Sequence, residues 1–135
     1  MTINSRQYDK KYFPLPLRLD FVNGVIWILL SDFEYHRKCG DIIKVPTGFR
    51  TDGASIPKVA WSWIGHPLGE YAPASVIHDF CCEHATWPRA KTDRIFLEAM
   101  RDCGVSYLKR QTMYIFVRLW YYWGNLQCLK KMILK

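Results

Sequence analysis

The residues most capable of chemistry lie in the stretch VIHDFCCEHA, residues 76–85. It places His78, which can exchange a proton near neutral pH, directly before a carboxylate. Asp93 follows on a second predicted helix, where it shares a stripe with apolar residues. A carboxylate that faces inward needs a hydrogen-bond partner. We therefore predict a buried hydrogen bond between His78 and Asp93, with Asp93 orienting the imidazole as a general base.

Two other carboxylates are candidate metal ligands. Asp52 lies between Thr51 and Gly53 in a glycine-rich loop, where backbone carbonyls could join it around a hard cation. Asp79 is rotated by about 100° from His78 on a helix and is expected to face the same loop. Asp52, Asp79 and loop oxygens therefore form a candidate site for calcium or another divalent cation, and no other cofactor is expected.

Both sets of residues also have simpler interpretations. The pair of His78 and Asp93 could be a satisfied polar pair that only fixes how two helices pack. Asp52 could be a turn residue whose side chain bonds to nearby backbone N–H groups, which is the ordinary use of Asp beside Gly. These alternatives remain open at the level of the sequence.

Two further kinds of site would use the same helix. A zinc ion could be bound on this helix by the side chains of His78, Cys81, Cys82 and His84. This alternative is weaker, because the stretch has no C-x-x-C spacing and adjacent cysteines on a helix point in different directions. A serine–histidine dyad would need Ser75 or Ser55, and neither lies in a nucleophile elbow.

The strands that must support these residues are predicted in residues 15–46, after an N-terminal arm at 1–14. The runs LRLDFV and VIWILL flank Asn23-Gly24, a dipeptide that favours a two-residue hairpin turn. The runs FEYHR and IIKVP are predicted to extend this hairpin into an antiparallel meander of three or four strands. A Gly/Pro-rich loop follows at 47–72, with a short helical turn through Ala60 to Ile64.

The segment 73–123 is predicted to contain three helices. The first runs from Pro73 to about Ala85, and its His78 face is lined with small residues that let another helix approach. The second covers about 90–103 and ends at Gly104 as a C-terminal cap.

The third predicted helix runs from near Ser106 to the pair Trp123-Gly124, leaving residues 124–135 as a basic tail. Some of its apolar residues share helical spacing and are expected to pack in the core: Leu108, Ile115, Leu119 and Tyr122. Together the elements predict a single α+β domain over residues 1–135, with a small antiparallel sheet packed beside about three helices.

Composition restricts the compartment and the partners. The formal net charge of +7, from 19 Lys and Arg against 12 Asp and Glu, favours anionic partners. The chain has five cysteines, which is an odd number, and no basic-then-apolar leader precedes them. We therefore expect reduced thiols in a cytoplasm. Because no run reaches about 18 apolar residues, no transmembrane segment is expected.

The C-terminal stretch, residues 107–135, combines a cluster of Trp and Tyr at 120–123 with six basic residues and no acid. Such a helix could lie on a phospholipid surface, with Lys and Arg at the headgroups, or contact another protein. Stacking on nucleic-acid bases is the less favoured use.

Three blocks of the chain resemble a known family: VPTGFRTDGASIPKVAW, GEYAPASVIHDF and TDRIFLEAM. In sequence and order they are similar to the phage-associated family catalogued as domain of unknown function 1353, over roughly residues 15–120. The resemblance implies a bacteriophage or prophage gene whose product acts in the bacterial host cytoplasm or travels with the virion.

A more distant resemblance concerns chemistry. A glycine-rich loop, a helix with His-Asp and a helix with Asp-x-x-Phe are together similar to phospholipase A2, particularly its compact viral capsid form. This resemblance implies that His78 is the base, Asp79 a calcium ligand and Asp93 the residue that orients His78. The leading expectation is a cation-dependent hydrolase of ester or phosphoester bonds. The alternative is a non-catalytic phage virion or tail accessory, or a host-modulating binding protein.

Overall fold

Strands come first along the chain and helices second, which confirms the predicted α+β class. The structure, a computed structural model, describes residues 2–3, 8–23, 26–51 and 69–134. The strands in these ranges are β1 (Thr2–Ile3), β2 (Leu17–Asn23), β3 (Ile26–Leu29), β4 (Phe33–His36), β5 (Ile42–Val45) and β6 (Arg50–Thr51). The helices are α1 (Ala72–His84), α2 (Arg89–Asp102) and α3 (Tyr107–Ile133).

The predicted hairpin is formed by β2 and β3, which pair antiparallel with Leu19 opposite Leu29 and with Phe21 opposite Trp27. A shift in register falls just before Asn23, at the end of β2. Gly24 of the predicted turn lies outside the described residues, as does the predicted helical turn through residues 60–64.

The single meander that the sequence suggested is wrong. The sheet has the order β1-β2-β3-β6, and among the described strands β4 pairs with β5 in a separate two-stranded ladder. The reason is that β6 occupies the free edge of β3, with Thr51 opposite Trp27, so β4 has no place there. The predicted N-terminal arm contributes a strand as well, because Thr2 of β1 pairs with Arg18 of β2.

The first two helices lie within about a residue of their predicted bounds. Pro73 occupies the first turn of α1, where its missing N–H is not needed. Gly104 ends α2 with a φ of 81°, which an L side chain adopts only with strain. Two backbone hydrogen bonds of 3.0 Å close the cap. The Gly104 N–H donates to the carbonyl of Arg101, and the Val105 N–H donates to the carbonyl of Met100.

The predicted end of the third helix at Trp123-Gly124 is wrong, because α3 continues to Ile133. Gly104 and Gly124 differ in conformation: Gly104 turns to positive φ, whereas Gly124 keeps a helical backbone. A helical glycine costs about 1 kcal/mol relative to alanine, and the flanking Leu, Gln and Lys residues are good helix formers that offset this cost. Residues 124–133 are therefore helix and not a tail.

The core is built between the strands and the first two helices. Phe13 stacks on Phe33 and Tyr35 with ring centroids 5.8 and 4.9 Å apart. Phe96 of α2 and Ile77 of α1 are also fully buried. α3 contributes far less, because Met113 is its one buried residue. None of the three described helices is long and apolar enough to cross a membrane.

The expectation that one apolar face of α3 packs in the core is also wrong. The four residues concerned are between about half and two thirds exposed: Leu108 66%, Ile115 53%, Leu119 61% and Tyr122 53%. Helical spacing identifies a face, but it does not identify what covers that face. Here Met113 and Val117, on the opposite side of the helix, make the contacts with the core.

Candidate functional site

The predicted hydrogen bond between His78 and Asp93 is present. His78 lies in the middle of α1 and Asp93 in the first half of α2, and the ring nitrogen Nε2 donates to Asp93 Oδ1 at 2.7 Å. Asp93 is fully buried, whereas His78 keeps 7% of its surface exposed. The small residues around His78 on α1, such as Ala74 and Cys81, are buried as expected and leave room for this close approach.

Asp93 has two further partners that the sequence did not reveal. Arg89 donates through Nε to Asp93 Oδ1 at 2.8 Å, and Arg118 donates through Nη1 to Oδ2 at 3.0 Å. The spacing of four residues between Arg89 and Asp93 on one helix was a usable signal. Arg118 comes from α3, 25 residues away, and only the tertiary fold brings it close. One carboxylate thus connects all three helices.

These contacts control the ionisation of Asp93. Burial raises the pKa of the carboxyl group, but the hydrogen bonds from His78, Arg89 and Arg118 outweigh it and hold the pKa at about 2, below the ordinary 3.8. Asp93 is therefore an anion at every pH at which the protein is expected to work. An anionic carboxylate can only accept, so Nε2 of His78 carries the proton of this bond.

Acid should therefore destabilise the protein through Asp93. A carboxylate whose pKa is depressed on folding stabilises the native state above its unfolded pKa, and this contribution is lost as the pH falls towards the folded pKa. The difference between 3.8 and about 2 corresponds to about 2–3 kcal/mol, lost between about pH 4 and pH 2. Urea unfolding of the wild type at a series of pH values should show this loss.

The matched control is Asp93→Asn, which keeps the shape of the side chain but cannot ionise. The unfolding free energy of the variant should fall less than that of the wild type over the same pH range, and the difference between the two falls should be about 2–3 kcal/mol. Parallel curves for the two proteins would mean that the pKa of Asp93 does not change on folding.

The second ring nitrogen of His78 is the chemically available one. In the neutral imidazole Nδ1 is an acceptor when Nε2 carries the proton. The ring lies against Phe96 with centroids 4.6 Å apart. Among the described residues the Cys82 thiol lies near the ring, with its sulfur 3.7 Å from Nε2 and 4.0 Å from Nδ1, both weak contacts. Nδ1 is therefore the ring nitrogen that is left to accept a proton.

The predicted metal ligands are only partly described. Asp79 accepts a hydrogen bond from Thr51 Oγ1 at 2.5 Å, which connects α1 to β6 where the glycine-rich loop begins. Asp79 therefore faces the start of the loop, as expected. Asp52 and the following residues of the loop, up to residue 68, lie outside the described residues. Within the described ranges no three His, Cys, Asp or Glu side chains gather as a metal site.

The alternative sites on α1 find little support in the geometry. Desolvation raises the pKa of the Cys82 thiol to about 11, with Arg89 opposing the shift. Cys82 is exposed whereas Cys81 is buried, so the two thiols do not face a common ligand site. Burial likewise raises the pKa of Cys81 to about 11. Ser75 donates to the carbonyl of Tyr71 at 3.2 Å, one turn back on the chain, and Ser55 lies outside the described residues.

A second polar cluster joins β4 to the end of α2, and no pattern in the sequence indicated it. The Tyr35 hydroxyl donates to Asp102 Oδ2 at 2.6 Å and lies 3.2 Å from Glu98 Oε1. Arg37 donates to both carboxylate oxygens of Glu98, at 3.3 and 3.0 Å. Burial and the bond to Asp102 raise the pKa of Tyr35 well above its ordinary value, so the phenol stays protonated.

A surface groove of about 400 Å³ borders this second cluster at Asp102, with Tyr8 and Arg101 also in its lining. This groove does not belong to the pair of His78 and Asp93, because neither residue contributes to its lining. Asp102 lies nine residues beyond Asp93 on α2, or about 13 Å along the helix axis. The two polar clusters are therefore separate sites.

Comparison with known proteins places these residues in a wider group. The family model described as "Protein of unknown function (DUF1353)" matches residues 27–117, which include His78 and Asp93. The uncharacterized protein y4jT of Sinorhizobium fredii is 47% identical over 87 residues, covering 64% of this chain and 26% of the relative. The uncharacterized protein y4iH of the same organism is 31% identical over 88 residues, covering 64% and 37%. The match thus spans about a quarter of the first relative and little more than a third of the second, and no solved structure matches the chain.

Proposed function

The chain belongs to the DUF1353 family of proteins of unknown function. For this member of the family we propose a function as a cation-dependent hydrolase of ester or phosphoester bonds. The observation that carries the proposal is the 2.7 Å bond from His78 Nε2 to Asp93, which leaves Nδ1 as the acceptor. A histidine held in this way by a buried carboxylate is suited to take a proton from water as the water attacks the substrate.

Each residue has a distinct part in this proposal. Nδ1 of His78 removes the proton, and Asp93 fixes the tautomer and stabilises the imidazolium that forms. Arg89 and Arg118 keep Asp93 ionised and in place, and they are therefore positioning residues. A divalent cation would polarise the substrate oxygen and stabilise the developing negative charge.

The cation is the second part of the proposal. Of the predicted ligands the described residues supply only Asp79, which already accepts the Thr51 hydroxyl. Asp52 follows Thr51 directly in the chain, so its carboxylate is the nearest further oxygen ligand by sequence. Calcium prefers six to eight oxygen ligands, so carbonyl groups or water would complete the site.

The test uses the purified full chain on panels of phospholipids and phosphodiesters, with and without EDTA, and calorimetric titration with Ca²⁺ and Mg²⁺. Turnover that EDTA abolishes and Ca²⁺ or Mg²⁺ restores is the expected result. Turnover that EDTA leaves unchanged would remove the cation from the proposal and keep the histidine base. No turnover on either panel together with no heat of cation binding would end the enzyme proposal.

A second candidate function is that of a non-catalytic phage component, either a virion or tail accessory or a host-modulating binding protein. It is favoured by the large exposed apolar residues of α3, among them Trp120 at 63% and Trp123 at 58% exposure. Exposed apolar patches of this kind commonly mark interaction sites. The partner would be a phospholipid surface or another phage protein, with nucleic acid less favoured, in the bacterial host cytoplasm or in the virion.

Virion composition separates the two candidates. A virion component should be found by mass spectrometry in purified particles, and its gene should lie among tail or lysis genes. A protein that stays in the host cytoplasm and is absent from particles would contradict a structural role in the virion.

A further inference from the structure

The exposed face of α3 has a regular pattern. Six apolar side chains alternate at spacings of four and three residues: Ile115, Leu119, Tyr122, Leu126, Leu129 and Ile133. We call this set the heptad stripe, because alternation of four and three is the spacing of the a and d positions of a coiled coil. Every member is between 52% and 78% exposed, so no described residue covers the stripe.

The heptad stripe points away from the rest of the protein. Met113 is buried and Val117 packs against the core, and both lie on the opposite side of α3 from the stripe, at about 100° per residue. Tyr121 also lies on that side, with the Arg89 guanidinium 5.2 Å from its ring centre. From Tyr122 to Leu134 every residue is exposed, so the last three turns of α3 project beyond the body of the protein.

We infer that the heptad stripe is the contact surface for a second copy of this chain, paired along α3. A straight α-helix has 3.6 residues per turn, so residues repeated every 3.5 positions slowly rotate around it. They stay in one contact surface only when two helices coil around each other, and a strict 3.5-residue repeat therefore indicates a partner helix. Trp120 and Trp123 are also exposed but lie outside this repeat, and the repeat itself is what a partner helix requires and a bilayer does not. A second copy presents the same stripe, so the contact is complementary to itself.

The charges beside the heptad stripe allow this pairing. The residues described for α3 include five cations and no acid, so pairing must avoid like charges. In a parallel pair the positions that face each other across the seam are Arg118 with Trp123 and Asn125 with Lys130 of the second copy. The first places a cation beside an aromatic residue, and neither brings two cations together.

An antiparallel pair is equally free of like-charge contacts. When the two helices cross at Gly124, Ile115 of one copy faces Ile133 of the other, and Leu119 faces Leu129. The central layer is then Tyr122 against Leu126. Either orientation would bury every member of the heptad stripe against the same stripe of the second copy.

The inference is tested by sedimentation equilibrium of the reduced full chain. The wild type should have twice the chain mass of 16.0 kDa at micromolar concentration. Leu126→Glu with Leu129→Glu should weaken the dimer by roughly 100-fold or more, because charge replaces two apolar layers. Both residues lie in the projecting part of α3, so circular dichroism should show an unchanged fold.

The matched control is Gln127→Glu with Cys128→Glu, which adds the same two negative charges to the same turn but outside the heptad stripe. Its dimer should weaken by less than roughly fivefold. The inference is overturned by a wild type that stays monomeric at roughly 50 µM, a concentration at which a micromolar dimer is populated. It is also overturned if both double variants weaken the dimer equally. A monomer that floats with vesicles of anionic phospholipid would assign the stripe to a lipid surface instead.

Discussion

Replacing Asp93 by alanine is expected to lower the free energy of unfolding by about 3–5 kcal/mol. The carboxylate is fully buried and binds His78, Arg89 and Arg118 at 2.7, 2.8 and 3.0 Å. The arginine side chains are 28% and 19% exposed, so neither can be fully hydrated where it lies when its anion is removed. Urea unfolding at neutral pH, followed by circular dichroism, measures the loss.

The control for Asp93→Ala is Asp41→Ala. Asp41 pairs with Arg37 at 3.2 Å, but its side chain is 62% exposed, so water and salt screen the pair. Its loss should cost no more than about 1 kcal/mol. If Asp93→Ala costs as little as Asp41→Ala, the network around Asp93 is not a stabilising element and the three helices are held by apolar packing alone.

Replacing His78 by alanine should leave the protein folded and reduce hydrolysis by roughly 10²- to 10⁴-fold, the usual contribution of a general base. Folding should persist because Asp93 keeps both of its arginine partners in this variant. The measurement is kcat/KM on whichever substrate class the wild type turns over, together with thermal unfolding of the variant.

His84→Ala is the matched control on the same helix. The His84 side chain is 56% exposed and its nearest carboxylate, Glu83, is 3.6 Å away, so it has no part in the buried network. This variant should retain wild-type turnover. Equal turnover by His78→Ala and the wild type would exclude His78 as the base and leave the pair of His78 and Asp93 as a packing device.

The local features of the fold were predictable from the sequence, and its long-range pairings were not. Pro73 in a first helical turn and Gly104 at a C-terminal cap act on their immediate neighbours, so each placed its element correctly. The separation of β4 from the main sheet depends on β6 reaching the edge of β3, with Thr51 beside Trp27. No local pattern carries that information, because strand partners distant in sequence are chosen by packing.

The candidate site shows the same division. His78 and Asp93 could be paired from the sequence, because each is a polar residue on the apolar side of its own helix and the two helices are neighbours. Arg118 joins them only because α3 crosses α2 at that point. The end of α3 was missed for a different reason, since Gly124 can end a helix but does not have to.

The cluster of Tyr35, Arg37, Glu98 and Asp102 has a consequence for how the protein opens in solution. Within the part of the chain that the structure describes, the ladder of β4 and β5 has no strand partner in the main sheet, and it would exchange its amide hydrogens quickly if it stood alone. The bonds from Tyr35 to Asp102 and from Arg37 to Glu98 fasten it to the last turns of α2. The amides of this ladder and of that end of α2 should therefore become exposed in one cooperative event, with a shared free energy of opening.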